Sequence, residues 1–180
     1  MDSKKDIIER VKTQTIFRKS NKEVLDKIIV TIDKVLERSN CSISEISSIG
    51  IGATGLVNPD AGVIYKAPNL KVLDNFNLRA PIEEKLRIHV FIENDVNVGT
   101  FGEYVLGAGR GAQILIGVFI GTGIGGGIII NGNIYHGFSK TAGEIGQIVI
   151  KFDGKMHPYS TTPRGTLKAY AGRLAIGERN

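Results

Sequence analysis

The apolar positions of this chain change period several times, and each change predicts an element. Ile7 to Phe17 alternates loosely through Val11, Thr13, Thr15 and Ile16, which predicts a strand of edge type. Ser20 followed by Glu23 is a capping box, a hydroxyl and then a carboxylate three residues on. The helix it opens carries Val24, Leu25, Ile28, Ile29, Ile32, Val35 and Leu36 on one face at a 3.6-residue period. Ser42 and Glu45 repeat the capping signature before a single short turn. Ile49 to Gly52 predicts a compact strand, and Gly62 to Tyr65 a hairpin arm after the turn Asn58-Pro59-Asp60. Pro81 to Leu86 predicts a short helix and His89 to Ile92 a buried strand. Asn94 or Asp95 then caps a helix running to about Leu106. Gln113 to Ile120, Ile128 to Ile130 and Gln147 to Phe152 predict strands. Arg164 to Ile176 predicts a helix with Leu167, Tyr170, Ala171, Leu174 and Ala175 on one side, after a polar loop from Asp153 to Pro163. Strands and helices alternate, so the class is α/β.

Composition changes the picture at one point. The chain has 180 residues and 23 glycines, about 13% against a usual ~7%. None precedes Gly50, and fifteen lie between Gly99 and Gly146, so the excess marks a site or a set of tight turns. Apolar residues at 42% and charged residues at 23% exclude a disordered or fibrous chain. Cys41 is the only cysteine, which excludes a disulfide framework and a cysteine-rich zinc module and favours a reducing compartment. Apolar runs are too short for a spanning helix, and the first residues lack a signal-peptide core. A cytoplasmic protein without a membrane partner is expected. Net charge is +5, but Lys and Arg are scattered among acids, so no nucleic-acid footprint is expected.

The segment Gly121-Thr122-Gly123-Ile124-Gly125-Gly126 matches a dinucleotide-binding pattern, G-x-G-x-x-G, only on paper. That pattern works when a helix follows and presents its N-terminus to a pyrophosphate. Here Gly127-Ile128-Ile129-Ile130 follows, which is strand-like, and no Lys-Ser or Lys-Thr closes a P-loop. A glycine-rich turn between antiparallel strands remains. Five glycines in seven residues exceed what a hairpin needs, which favours an anion-binding concavity with a Thr122 hydroxyl donor over a plain turn. Asp95 stands where ligands meet open α/β sheets, at the carboxyl end of a strand, and can accept a proton from an attacking hydroxyl. Asp and Asn are equally the commonest helix caps, so both readings stand there. Glu144, between Gly143 and Ile145-Gly146, can hold two hydroxyls at once or be a solvated loop acid. The histidines His89, His136 and His157 show no metal-ligand spacing.

Five segments in order carry a resemblance. They are Ile49-Gly50-Ile51-Gly52-Ala53-Thr54-Gly55-Leu56-Val57-Asn58-Pro59, Ala67-Pro68-Asn69-Leu70, Glu93-Asn94-Asp95-Val96-Asn97, Gly121 to Gly127, and Gly143-Glu144-Ile145-Gly146. Together they resemble the ROK family (repressor, open reading frame, kinase), which includes glucokinases, other hexose kinases and sugar-responsive repressors. The resemblance implies an actin-like, ribonuclease H-like ATPase fold with two α/β lobes around a cleft. Residues 1–110 would form the first lobe without its initial phosphate-binding hairpin, and 111–180 the start of the second. It implies transfer of a phosphoryl group from ATP to a hexose with Mg²⁺, and a glucokinase-like activity impaired in a chain this short. Asp95 would be the catalytic base. Gly55, Asn69, Asn94, Asp95, Glu144 and Gln147 would hold the sugar, and Gly121, Thr122, Gly123 and Gly125 the phosphates. Gln147 stands where many members have a zinc-binding His. His157, Tyr159 and Thr166 stand where cysteines would be, and Lys168 where a sugar-binding Glu would be, so zinc is not expected. A homodimer is a further expectation. The alternative is a non-catalytic sugar-binding or regulatory relic of the same family.

Overall fold

The computed structural model describes residues 6–15, 20–157 and 163–177. Ile16, Phe17, Tyr159 and part of the expected loop at 153–163 lie outside the described residues. The chain divides into two compact units, Met1–Glu93 and Asn94–Asn180. No helix among the described residues is long and apolar enough to cross a membrane.

In the first unit, α1 (Asn21–Ser39) begins as the capping box predicts. Ser20 Oγ accepts from the Glu23 N–H at 3.3 Å, and Glu23 Oε2 accepts from the Ser20 N–H at 2.9 Å. Asn40, at φ 53°, ends it in the left-handed region. Strand β1 (Ile49–Ala53) pairs with β5 (Val90–Asn94). Strands β2 (Leu56–Asn58), β3 (Val63–Lys66) and β4 (Phe76–Asn77) form an antiparallel sheet in that order, with Val57 opposite Ile64 and Ile64 opposite Phe76. Helix α2 (Arg79–Leu86) contributes Ile82 to a core that also buries Ile64, Leu78, Val90 and Ile92. The strand expected at Ile7–Phe17 does not form over the described residues 6–15. Thr13 instead meets Thr31 of α1, hydroxyl to hydroxyl, at 3.4 Å. Alternation specifies which faces side chains take, but a strand also needs an edge to pair with, and the pattern does not supply one.

The second unit is built on α3 (Asp95–Leu106) and an antiparallel sheet of β6 (Ile114–Ile120), β7 (Ile124–Ile130) and β8 (Asn133–Ile134). The β6–β7 register runs from Ile114 opposite Ile130 to Ile120 opposite Ile124. Gly117 and Gly127 face each other across it, and fully buried Thr100 of α3 fills the space both leave. A Cβ on Gly117 would lie 2.8 Å from Thr100 Cγ2, and one on Gly127 2.8 Å from Thr100 Cβ. In the opposite sense, Phe119 presses on Gly99 of α3, 2.9 Å from where a Cβ would stand. This packing ties α3 to β6 and β7, and α3 falls with them in the second compact unit.

Two further elements differ from expectation. Gln147–Phe152 is not a strand. It follows a 3₁₀ turn, Ile145–Gln147, and makes one bridge, Val149 to Thr166. The Ile150 and Lys151 N–H groups both donate to Gly165 O, at 2.8 and 3.2 Å, so the neighbouring chain is a turn along which no ladder can extend. The helix expected over Arg164–Ile176 is two, α4 (Leu167–Ala171) and α5 (Arg173–Gly177). Gly172 between them is extended, at ψ 156°. A Cβ there would stand 3.0 Å from Thr122 O and 3.1 Å from Gly123 Cα, so the break seats this connection against the 121–123 turn.

Candidate active site

At the end of β5 the structure separates two roles that the sequence leaves open. Asn94 Oδ1 accepts from the N–H groups of Val96 at 2.9 Å and Asn97 at 3.1 Å, so Asn94 is the cap of α3. Asp95 is thus relieved of capping. Its carboxylate accepts from the Val96 N–H at 3.0 Å and keeps an exposed face. Crowding by protein pushes its pKa above the ordinary carboxylate value, against the pull of hydrogen bonds from the Val96 and Asp95 N–H groups. The carboxyl therefore holds a proton more tightly than a free aspartate does.

The glycine segment at 121–127 is mostly strand. Gly125, Gly126 and Gly127 belong to β7, and only Gly121, Thr122 and Gly123 turn. The strand glycines have packing reasons. A Cβ on Gly125 would come within 2.7 Å of Val96 Cγ2 on α3, and one on Gly126 within 2.5 Å of Gly143 O. The turn is held from several sides. The Gly121 N–H donates to Gly123 O at 2.9 Å, and the Arg173 N–H donates to Gly121 O at 2.9 Å. His157 Nε2 lies 3.3 Å from Thr122 O. A Cβ on Gly123 would be 3.7 Å from Cβ and Cδ of Lys168, whereas one on Gly121 would meet nothing within 4 Å among the described residues. The turn is braced behind Gly123 and open at Gly121.

The loop carrying Glu144 packs on the first residues of β7. Gly143, at φ +86°, approaches the Gly126 carbonyl, and Gly146 is buried against Ile124 O. Glu144 precedes the 3₁₀ turn that ends at Gln147. Its charge raises the pKa of Lys168, while the stronger effect, burial, lowers it. Lys168 of α4 is thus set beside both the turn and the Glu144 loop. Gln147 Oε1 and Thr166 Oγ1 are buried with no hydrogen-bond partner among the described residues. The second unit therefore gathers the turn, Lys168 and the Glu144 loop around the start of β7, with α3 on the strand's other face.

In the first unit, Gly55 sits at φ +95° between β1 and β2, where a Cβ would collide with Lys66 O and lie 3.0 Å from Ala67 Cα. Asn69 is exposed at a turn closed by the Leu70 N–H donating to Ala67 O at 2.9 Å. Sequence reasoning missed that Lys168 lies beside Gly123 of the turn, and it missed the Gly172 break. The isolated glycine within an otherwise helical pattern was the available signal.

The ROK family model matches residues 1–172. A glucokinase of Halalkalibacterium halodurans is 35% identical over 171 residues, covering 95% of this chain and 51% of that protein. A xylose repressor of Bacillus subtilis is 40% identical over 128 residues, covering 71% of this chain and 32% of that protein. The crystal structure of a ROK glucokinase from Streptomyces griseus, in complex with glucose and AMPPNP, superposes with a TM-score of 0.83 at 29% identity. It covers 98% of this chain and 54% of that one. The chain spans about half the length of the glucokinases it matches and has the α/β, actin-like fold of ROK sugar kinases in incomplete form. With the family model matched over nearly its whole length, the chain belongs to the ROK family.

Proposed function

We propose that this polypeptide is the central part of a glucokinase-like enzyme that phosphorylates a hexose from ATP, with Asp95 as the base. The observation that carries the reading is the division of labour at the start of α3. Asn94 caps the helix, and Asp95 keeps an exposed carboxylate with raised proton affinity. A base in that state removes the proton from an attacking sugar hydroxyl more readily as the new oxygen–phosphorus bond forms. Glu144, Asn94 and Gln147 would hold sugar hydroxyls, with Gly55 and Asn69 as further sugar contacts. Gln147 Oε1, without a partner among the described residues, is an acceptor for which a hydroxyl donor is a chemical match. Phosphate would sit at Gly121, where a Cβ would meet none of the described atoms within 4 Å, with Thr122 and Gly123 beside it. Gly125 lies in β7, so it would contribute through close packing beside the turn. ATP would supply the phosphoryl group and Mg²⁺ the neutralising charge, which one or two carboxylates with phosphate oxygens suffice to hold.

The complete reaction is proposed for a protein that supplies both halves found in the relatives. Phosphoryl transfer depends on positioning and charge stabilisation, so these 180 residues alone should turn over little. The test is a coupled assay of hexose-dependent ADP formation, with calorimetry against a hexose panel. Asp95→Asn should leave hexose affinity within a few fold and remove residual turnover, a base being worth roughly 10²–10⁴-fold. Glu144→Gln should weaken hexose binding. Turnover that survives Asp95→Asn refutes the assignment of the base. The relationship to a xylose repressor supports a second reading, sugar binding without catalysis. Hexose binding with no turnover in a completed protein would favour it.

A further inference from the structure

Lys168 sits among the groups proposed to hold substrate, although proton removal by Asp95 does not require it. Its backbone is pinned on both sides. The Leu167 N–H donates to Ile148 O at 2.8 Å, just after the 3₁₀ turn that Glu144 precedes, and Lys168 O accepts from the Gly172 N–H at 3.2 Å. Its stem is placed as well, since Cβ and Cδ both lie 3.7 Å from where a Cβ of Gly123 would stand. Buried His157, 3.3 Å from Thr122 O, and the Arg173 N–H on Gly121 O hold the turn against which that stem lies. The half-buried ammonium feels the charge of Glu144, yet burial lowers its pKa more than Glu144 raises it. An anion that meets it there gains a charge-assisted hydrogen bond in a partly desolvated place, where such a bond is stronger than in water. A neutral hydroxyl gains less from the same donor.

We infer that Lys168 sets the specificity of the sugar site for a sugar acid, a monosaccharide whose carboxylate receives the Lys168 ammonium. The inference rests on the kinase reading above and narrows its substrate. Glu144 by itself would repel such an acid, and the cation beside it offsets that charge. The pair can then hold a carboxylate through Lys168 and a neighbouring hydroxyl through Glu144. The phosphates of the nucleotide are the other source of negative charge. Their proposed place is at Gly121, whereas Lys168 runs along Gly123 and is set beside the Glu144 loop. The carboxylate is bound and not phosphorylated. The phosphoryl group goes to a hydroxyl elsewhere on the sugar, whose proton passes to Asp95.

The test is calorimetry of the full 180-residue chain with gluconate, glucuronate, glucose and mannose, read as the ratio of affinity for the acids to affinity for the neutral sugars. At least one acid should bind roughly tenfold more tightly than either neutral hexose. Lys168→Gln should lower that ratio about tenfold and Lys168→Glu further, while Lys168→Arg, which keeps the charge, should keep most of it. Arg173→Gln, at an exposed cation on the next helix, should leave the ratio unaltered. The ratio is the readout because a loss of folding weakens both kinds of sugar together. A parent chain that binds the neutral hexoses as tightly as both acids overturns the inference and leaves the kinase reading standing. So does a ratio indifferent to Lys168→Gln, or one that Arg173→Gln lowers as much, which would assign the preference to overall charge. If Lys168→Gln weakens binding of tripolyphosphate and leaves the sugar ratio unchanged, the ammonium serves the nucleotide and the inference is also overturned. If no sugar of either kind binds, the sugar site of the kinase reading fails together with the inference.

Discussion

Replacing Gly117 with Ala tests the packing that places Asp95. The new methyl would lie 2.8 Å from Thr100 Cγ2 and 3.0 Å from Thr100 Cβ, about 1 Å inside ordinary carbon contact. Thr100 has nowhere to go. It is fully buried, its hydroxyl donates to Val96 O at 2.9 Å, and its Cβ already meets Gly127 on the facing strand. The helix must therefore lift from the sheet. Overpacking of this kind costs about 1–3 kcal/mol. The gain from replacing a strand glycine is at most about 1 kcal/mol, so the clash wins. Urea unfolding followed by circular dichroism should show a midpoint lower by roughly 1 M at a typical slope. Thr100→Ala removes the hydroxyl and the γ-methyl but leaves Cβ, so in that background Gly117→Ala should cost about 1 kcal/mol less. An equal cost in both backgrounds would refute the reasoning. In a catalytically complete protein, lifting α3 also moves Asp95. An ångström of misplacement can lower turnover by about 100-fold with little change in sugar affinity.

Ser20→Ala removes the acceptor of the α1 capping box and should cost about 0.5–2 kcal/mol, read as a lower urea midpoint with reduced ellipticity at 222 nm. Gly55→Ala forces a side chain into φ +95° against the Lys66 carbonyl and should destabilise by more than about 2 kcal/mol; a loss below 0.5 kcal/mol would contradict that geometry. The raised pKa of Asp95 sets a pH dependence. Its favourable contribution is full below the unfolded value, near 3.9, and is lost as pH rises through the higher folded value. Asp95→Asn should therefore gain stability relative to the parent between pH 4 and pH 7, and urea midpoints that differ equally at the two pH values would exclude this.

The local elements were largely legible in the chain. The capping box of α1, the strand ending at Asn94, the helix from Asp95 to Leu106 and the two strands around the glycine turn all follow from periodicity and caps, which act over a few residues. The misreadings share one cause. The described residues 7–15 and Gln147–Phe152 have strand composition, but a strand exists only with a partner edge, and the partner is chosen by distant parts of the chain. Arg164–Ile176 has a helical period, yet Gly172 breaks it where the chain must pass close to Thr122 and Gly123.

The candidate site shows the same boundary between local and global information. The sequence by itself placed a carboxylate at a strand end, a glycine turn between strands and a second carboxylate among glycines, because each is a short pattern with its own chemistry. The tertiary structure decided which of two adjacent residues caps α3, leaving Asp95 exposed and Asn94 bound to the backbone. It also showed that Gly117, Gly125 and Gly127 make room for α3, and it set Lys168 beside the 121–123 turn. The physical reason is range: a cap or a period is a contest among neighbours in sequence, whereas the space a missing Cβ leaves has meaning only once another element arrives to fill it.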